Sequence, residues 1–198
     1  HLANYTALSA STTYYFKIFS YTNSSTNINY KIDGTIPTAS LTTAAAPSTT
    51  LLFEEKFNYV AASDLAAQGG WQIIGADGTN LQVSSSGLSY SGYPSSSGLA
   101  ADITSSRDDD LGNNYAAQSG GTIYYSFLVN VSGTTGAGTY FTGLNTTATS
   151  SATYTGRVFA KISSGYVNFG LSKSTETETY SSTNYSVKTT YLLVVKYE

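Results

Sequence analysis

Three observations in the sequence predict an all-β protein. Tyr and Gly each occur 18 times in 198 residues, Ser and Thr are abundant, and only 11% of residues are charged, a balance that favours strands and turns over solvated helices. Apolar and polar residues alternate over short runs, the two-residue period of a strand with one buried face. Clusters of Gly, Ser, Asn and Asp separate these runs at spacings typical of a β-sandwich. With 40% hydrophobic and 14% aromatic residues, the chain has enough apolar surface to build a core.

The first strand is expected over 13–19, where Tyr14, Phe16 and Ile18 share a buried face. Asp33-Gly34 suits a tight turn and is expected to close a hairpin with a short strand over 39–42. Residues 44–50, AAAPSTT, are small, polar and aperiodic and read as a linker. Beyond it, strands are predicted at 51–57, 71–74, 81–83, 88–90, 99–103, 122–131, 139–144, 157–162, 166–172 and 191–197. A single helical turn is expected at 61–67, capped by Ser63. The apolar run at 191–197 needs a pairing partner, so the chain is expected to be truncated inside its second domain.

Composition also excludes classes of function. A net charge of -3, a pI near 5.0 and nine scattered Lys and Arg supply no basic field for nucleic acid. With no Cys there are no disulfides and no thiolate metal ligands, and with no Met the chain is expected to be processed or cut from something longer. No run approaches the roughly 18 to 20 apolar residues of a membrane helix, so membrane insertion is not expected. Low charge, many hydroxyls and no oxidisable sulfur point to an extracellular setting.

Two resemblances refine this reading. Leu8-Ser9-Ala10-Ser11-Thr12-Thr13-Tyr14-Tyr15-Phe16-Lys17-Ile18 resembles the corner before strand F of fibronectin type III domains. That resemblance implies that Tyr14 bonds backbone a few residues upstream, and that 1–43 is the C-terminal part of such a sandwich. Residues 51–198 resemble the concanavalin A-like, laminin G-like jelly rolls of secreted multidomain proteins of Bacteroidetes. The carriers are Phe53-Glu54-Glu55-Lys56-Phe57, Gly70-Trp71, Ser91-Gly92-Tyr93-Pro94 and Gly121-Thr122-Ile123-Tyr124-Tyr125-Ser126-Phe127-Leu128-Val129-Asn130. Three later blocks continue the pattern: Gly156-Arg157-Val158-Phe159, Asn168-Phe169-Gly170-Leu171-Ser172-Lys173 and Thr190-Tyr191-Leu192-Leu193-Val194-Val195-Lys196-Tyr197. The resemblance implies an antiparallel jelly-roll sandwich acting as a non-catalytic part of a surface protein.

No residue set builds a catalytic, cofactor or metal centre, and no cofactor is expected. The only histidine, His1, is terminal, which leaves acid–base and nucleophilic triads without a centre. Glu176 and Glu178 have the spacing of paired glycosidase carboxylates, but neither apolar neighbours nor an aromatic floor flank them. Glu54 and Glu55 are adjacent and point apart. Asp108-Asp109-Asp110 is the densest negative charge and suggests calcium, but three consecutive side chains diverge, and the expectation is a solvated turn partly neutralised by Arg107. Tyr14, Phe53, Phe57, Trp71, Phe127, Phe159 and Phe169 are expected in the core. Tyr90, Tyr93, Tyr180 and Tyr185, near turns, are the exposed candidates for stacking on sugar. Asn-X-Ser/Thr triplets begin at Asn4, Asn23, Asn130, Asn145 and Asn184, as chance allows in so hydroxyl-rich a chain.

The expected function is a structural or adhesive module of an extracellular bacterial surface protein. Its expected partners are other copies or other domains of the same protein, joined by β-strand addition into a fibre, with polysaccharide binding as the alternative.

Overall fold

The structure, a computed structural model, describes residues 5–23, 25–44, 50–66, 68–75, 78–93, 98–134, 137–147 and 154–198. The protein is all-β, and among the described residues a 3-10 turn at Ser25–Asn27 is the only helical element. The chain divides into two units, His1–Leu51 and Leu52–Glu198. The division falls at the end of the expected 44–50 linker, of which 45–49 lie outside the described residues.

In the first unit β1 (Thr13–Lys17) pairs antiparallel with β4 (Thr38–Thr42), placing Tyr14 opposite Leu41 and Phe16 opposite Ala39. Asp33-Gly34 does not close this hairpin. A smaller ladder of β2 (Tyr21–Thr22) and β3 (Asn29–Tyr30) intervenes, and Gly34, at a φ of 73°, bends the connection from β3 to β4. Tyr14 and Phe16 are half-buried as the alternation requires, and Phe16 packs on Tyr5 with ring centroids 5.3 Å apart. Ile18, one residue past the strand, is instead 69% exposed. The Ser9 N–H donates to the Tyr14 hydroxyl at 2.9 Å, the upstream backbone contact expected of this tyrosine.

Among its described residues the second unit carries four short strands and then seven strands of two to ten residues. The short ones are β5 (Gln72–Ile74), β6 (Gln82–Val83), β7 (Ala101–Asp102) and β8 (Asp110–Gly112), paired β5 with β8 and β6 with β7. The expected strands at 51–57 and 88–90 do not form: those residues are extended or turning chain without ladder partners. The expected helical turn at 61–67 is also replaced. Ser63 and Leu65 exchange backbone hydrogen bonds with Leu81 and Val83, so this stretch runs beside β6, and the Ser63 hydroxyl donates to the Val60 carbonyl instead of capping a helix; Ala67 lies outside the described residues. Leu65, Ile74, Leu81 and Val83 are the buried hydrophobic side chains among the described residues here.

The remainder forms two facing sheets. β9 (Ile123–Asn130) pairs with β15 (Thr190–Tyr197) over eight residue pairs. Opposite them lies the sheet β10 (Thr139–Asn145), β11 (Tyr154–Ser163), β12 (Tyr166–Lys173), β13 (Thr179–Tyr180), with β14 (Tyr185–Ser186) also on β12. Val167, Phe169 and Ala160 meet Val129 of β9 and Tyr191 and Leu193 of β15 between the layers, which the two-residue period places on one face of each strand. β8, β13 and β14 are two to three residues long and had too little alternation to be read from the sequence.

Candidate functional site

The side chains with chemical potential sit mainly at the turns of the second unit, and most are engaged in fastening them. Glu55, Phe57 and Tyr59 are half-buried between exposed neighbours in a stretch that turns at Phe57, at a φ of 52°, an alternation visible in the sequence but not recognised there as a site. The Glu55 carboxylate accepts hydrogen bonds from the Phe57 N–H at 2.6 Å, the Tyr59 hydroxyl at 2.8 Å and the Trp71 indole N–H at 2.8 Å. Burial, the hydrogen bond to Glu55 and its negative charge push the Tyr59 hydroxyl up to about 12. Glu54 points away, as expected of its neighbour, and pairs with Lys56 at 3.1 Å on the surface.

Trp71 stacks on Phe57 with centroids 6.2 Å apart and meets Phe53 edge-on at 6.3 Å. It is half-buried, not enclosed, and Phe53 is exposed, so this cluster is a covered surface patch where a core was expected. Beside it Ala66, Gly70, Trp71, Gln72 and Ile73 line an open hollow of about 420 Å³. Gly98 is held close to the same stretch: the Leu99 N–H donates to the Phe57 carbonyl at 3.1 Å, and a Cβ on Gly98 would stand 1.5 Å from the Lys56 carbonyl oxygen.

The acidic run is not the solvated turn expected of it. Asp109 is 4% exposed, and its Oδ1 accepts the Gly78 N–H at 2.6 Å. Asp108 is exposed, and its Oδ1 accepts the Thr79 N–H at 2.6 Å, which holds its carboxyl below the usual range. Asp108 and Asp109 thus converge on adjacent amides, while Asp110 starts β8 and faces the Tyr140 and Tyr154 hydroxyls, both at 3.4 Å. Burial and the bonds to Tyr140 and Asp110 push the Tyr154 hydroxyl up. Arg107 does not neutralise this charge. Its guanidinium donates to the Asn80 carbonyl at 3.1 Å and the Gln82 side-chain oxygen at 2.5 Å.

Glu176 is exposed in the turn after β12, whereas Glu178 is half-buried, close enough for its charge to act with burial in raising the Tyr180 hydroxyl. The turn follows from Ser174 at a φ of 52°, with the Glu176 N–H donating to the Lys173 carbonyl at 3.0 Å. Glu176 also borders a cleft of about 340 Å³ at one end of the facing sheets, floored by Tyr125, Val158, Leu171 and Val195. Glu178 does not line it.

Of the four tyrosines expected at the surface, only Tyr90 is exposed. Tyr180 packs on Phe159 with Lys161 Nζ 3.9 Å from its ring centre, and Tyr185 packs between Phe169 and Tyr191; Tyr93 is half-buried. Phe159 and Phe169 are buried as expected, and Phe127 is half-buried. Asn168 is a polar member of the interior that sequence reading missed. Its amide donates to the Ser181 and Thr183 carbonyls and to Asn184 Oδ1 at 3.4, 2.9 and 3.1 Å, stitching the β13–β14 connection to β12. Among the described residues no three Asp, Glu or His side chains gather as a metal-binding group, and no helix is long and apolar enough to cross a membrane. Comparison with models of protein families, with curated proteins and with solved structures finds no match.

Proposed function

We propose that this chain is a non-enzymatic structural or adhesive module of an extracellular bacterial surface protein, joining the end of a fibronectin type III-like sandwich to a jelly-roll sandwich. The observation that carries the reading is the use made of Glu55. Three donors from Phe57, Tyr59 and Trp71 occupy both oxygens of its carboxylate, so the group positions chain and leaves little acid–base capacity for a substrate. The Tyr14 contact to Ser9 supports the first half of the assignment, and the two facing sheets support the second. Among the described residues β9 and β15 pair only with each other, and open backbone edges of this kind accept an added strand from another copy or another domain of the same protein.

A second reading is a carbohydrate-binding module, favoured by one feature: Trp71 walls an open hollow with Gln72 beside it, a ring and an amide of the kind that sugar sites use. Labelling of intact cells of the source bacterium with antibody against the chain tests the leading reading. Surface labelling is expected, and a purely cytoplasmic location overturns it. Retardation of the purified chain in gels containing soluble polysaccharide would shift the assignment to the second.

A further inference from the structure

Asp109 has a carboxylate oxygen that the rest of the structure leaves unused. Oδ1 accepts the Gly78 N–H, but Oδ2 is buried with no hydrogen-bond partner among the described residues. Such an orphan is rare in a folded interior, where a bound water or an ion commonly satisfies the oxygen. Asp108 adds a second negative group at the same place. A Cβ on Gly78 would stand 2.7 Å from Asp108 Oδ1 and 3.0 Å from Asp109 Oδ1, so both carboxylates crowd the side of one glycine, and only a residue without a Cβ lets them do so.

Among the described residues no basic side chain pairs with either carboxylate, and the neighbouring Arg107 is committed to Asn80 and Gln82. A water would satisfy the orphan oxygen but leave two like charges side by side; a cation does both. The donors here are oxygens alone, which selects a hard ion over zinc or copper. Calcium accepts irregular oxygen sets completed by backbone carbonyls and water, whereas magnesium demands a near-octahedral shell, and two carboxylates on a turn fit the first description.

We propose that Asp108 and Asp109, gathered on the Gly78–Thr79 turn, bind a calcium ion. Two carboxylates place the site in the weak class typical of extracellular modules, with a dissociation constant of about 0.1 to 1 mM. The proposal stands apart from the module assignment, since a calcium-fastened turn serves an adhesin and an enzyme equally.

Calorimetric titration of calcium chloride into the chelator-treated 198-residue chain, paired with thermal melts, is the test. One binding event and a calcium-dependent rise in melting temperature are expected. Asp109→Asn should weaken binding at least about tenfold. Asp108→Asn, at an exposed position, should weaken it about three- to tenfold while leaving the melt in chelator unchanged, so it decides the matter even if Asp109→Asn does not fold. Neither heat nor a melting shift at about 10 mM calcium would overturn the proposal. So would calcium affinity that Asp108→Asn leaves unchanged.

Discussion

Between Ile123 and Glu198, strands of up to ten residues face one another across Ala160, Val167 and Phe169. Between Leu52 and residue 122, no strand of the described chain exceeds three residues, and side chains do much of the fastening: Glu55 to Trp71 and Tyr59, Asp64 to Asn80, Asp108 and Asp109 to the Gly78–Thr79 turn. The two regions are therefore fragile in different ways. Apolar burial is shared over many atoms and costs most when a large ring is removed, whereas a polar tie fails at a single position and fails locally.

The largest expected effect breaks the sandwich. Phe169→Ala removes a buried ring that touches Tyr185 and Tyr191 and should destabilise the unit by about 3 to 5 kcal/mol, read from urea unfolding. Gly98→Ala attacks the fastened region through backbone crowding against Lys56 and should cost about 1 to 3 kcal/mol in the same measurement. Glu55→Ala leaves the donors of Phe57, Tyr59 and Trp71 without their acceptor. A loss of about 1 to 3 kcal/mol is expected, with a change in Trp71 fluorescence as its local sign.

Alkaline pH sharpens the same contrast. An unfolded tyrosine titrates near about 10, and Tyr59 in the folded chain is raised to about 12. Its contribution is therefore complete below about pH 10 and lost as pH climbs to about 12, because the unfolded state gives up its proton first. Melting temperatures across that window should fall less steeply in Tyr59→Phe than in the parent. The smallest effect is expected outside both regions' ties: Glu176→Gln, on an exposed turn, should change stability by less than about 0.5 kcal/mol.

The sequence was most legible where the structure depends on period. Alternation at 122–131, 157–162, 166–172 and 191–197 marked β9, β11, β12 and β15 closely, because each is a long strand with one face on the shared core, and in the middle of β11 and β12 the second face is buried as well. It was least legible where side chains replace ladders. The run 51–57 alternates like a strand, yet its inward groups, Glu55 and Phe57, close on Trp71 and Tyr59 instead of on a neighbouring strand. Asp109 looked solvated because charge in a turn normally is, and nothing local reveals that the Gly78 amide lies against it from 31 residues away. Asn168, one residue before Phe169, alternates correctly as an outward residue, and only the returning 181–184 segment makes it interior.

Glu55 is a local tie in a region held largely by its own side chains, apart from the Tyr140 and Tyr154 hydroxyls that reach Asp110 from the sandwich. Hydrogen exchange of Glu55→Ala at neutral pH, resolved by residue, tests it most directly. Faster exchange is expected at Phe57, Leu99 and Trp71, with the amides of β11 and β12 as protected as in the parent. Equal acceleration in both regions, or none in either, would contradict it.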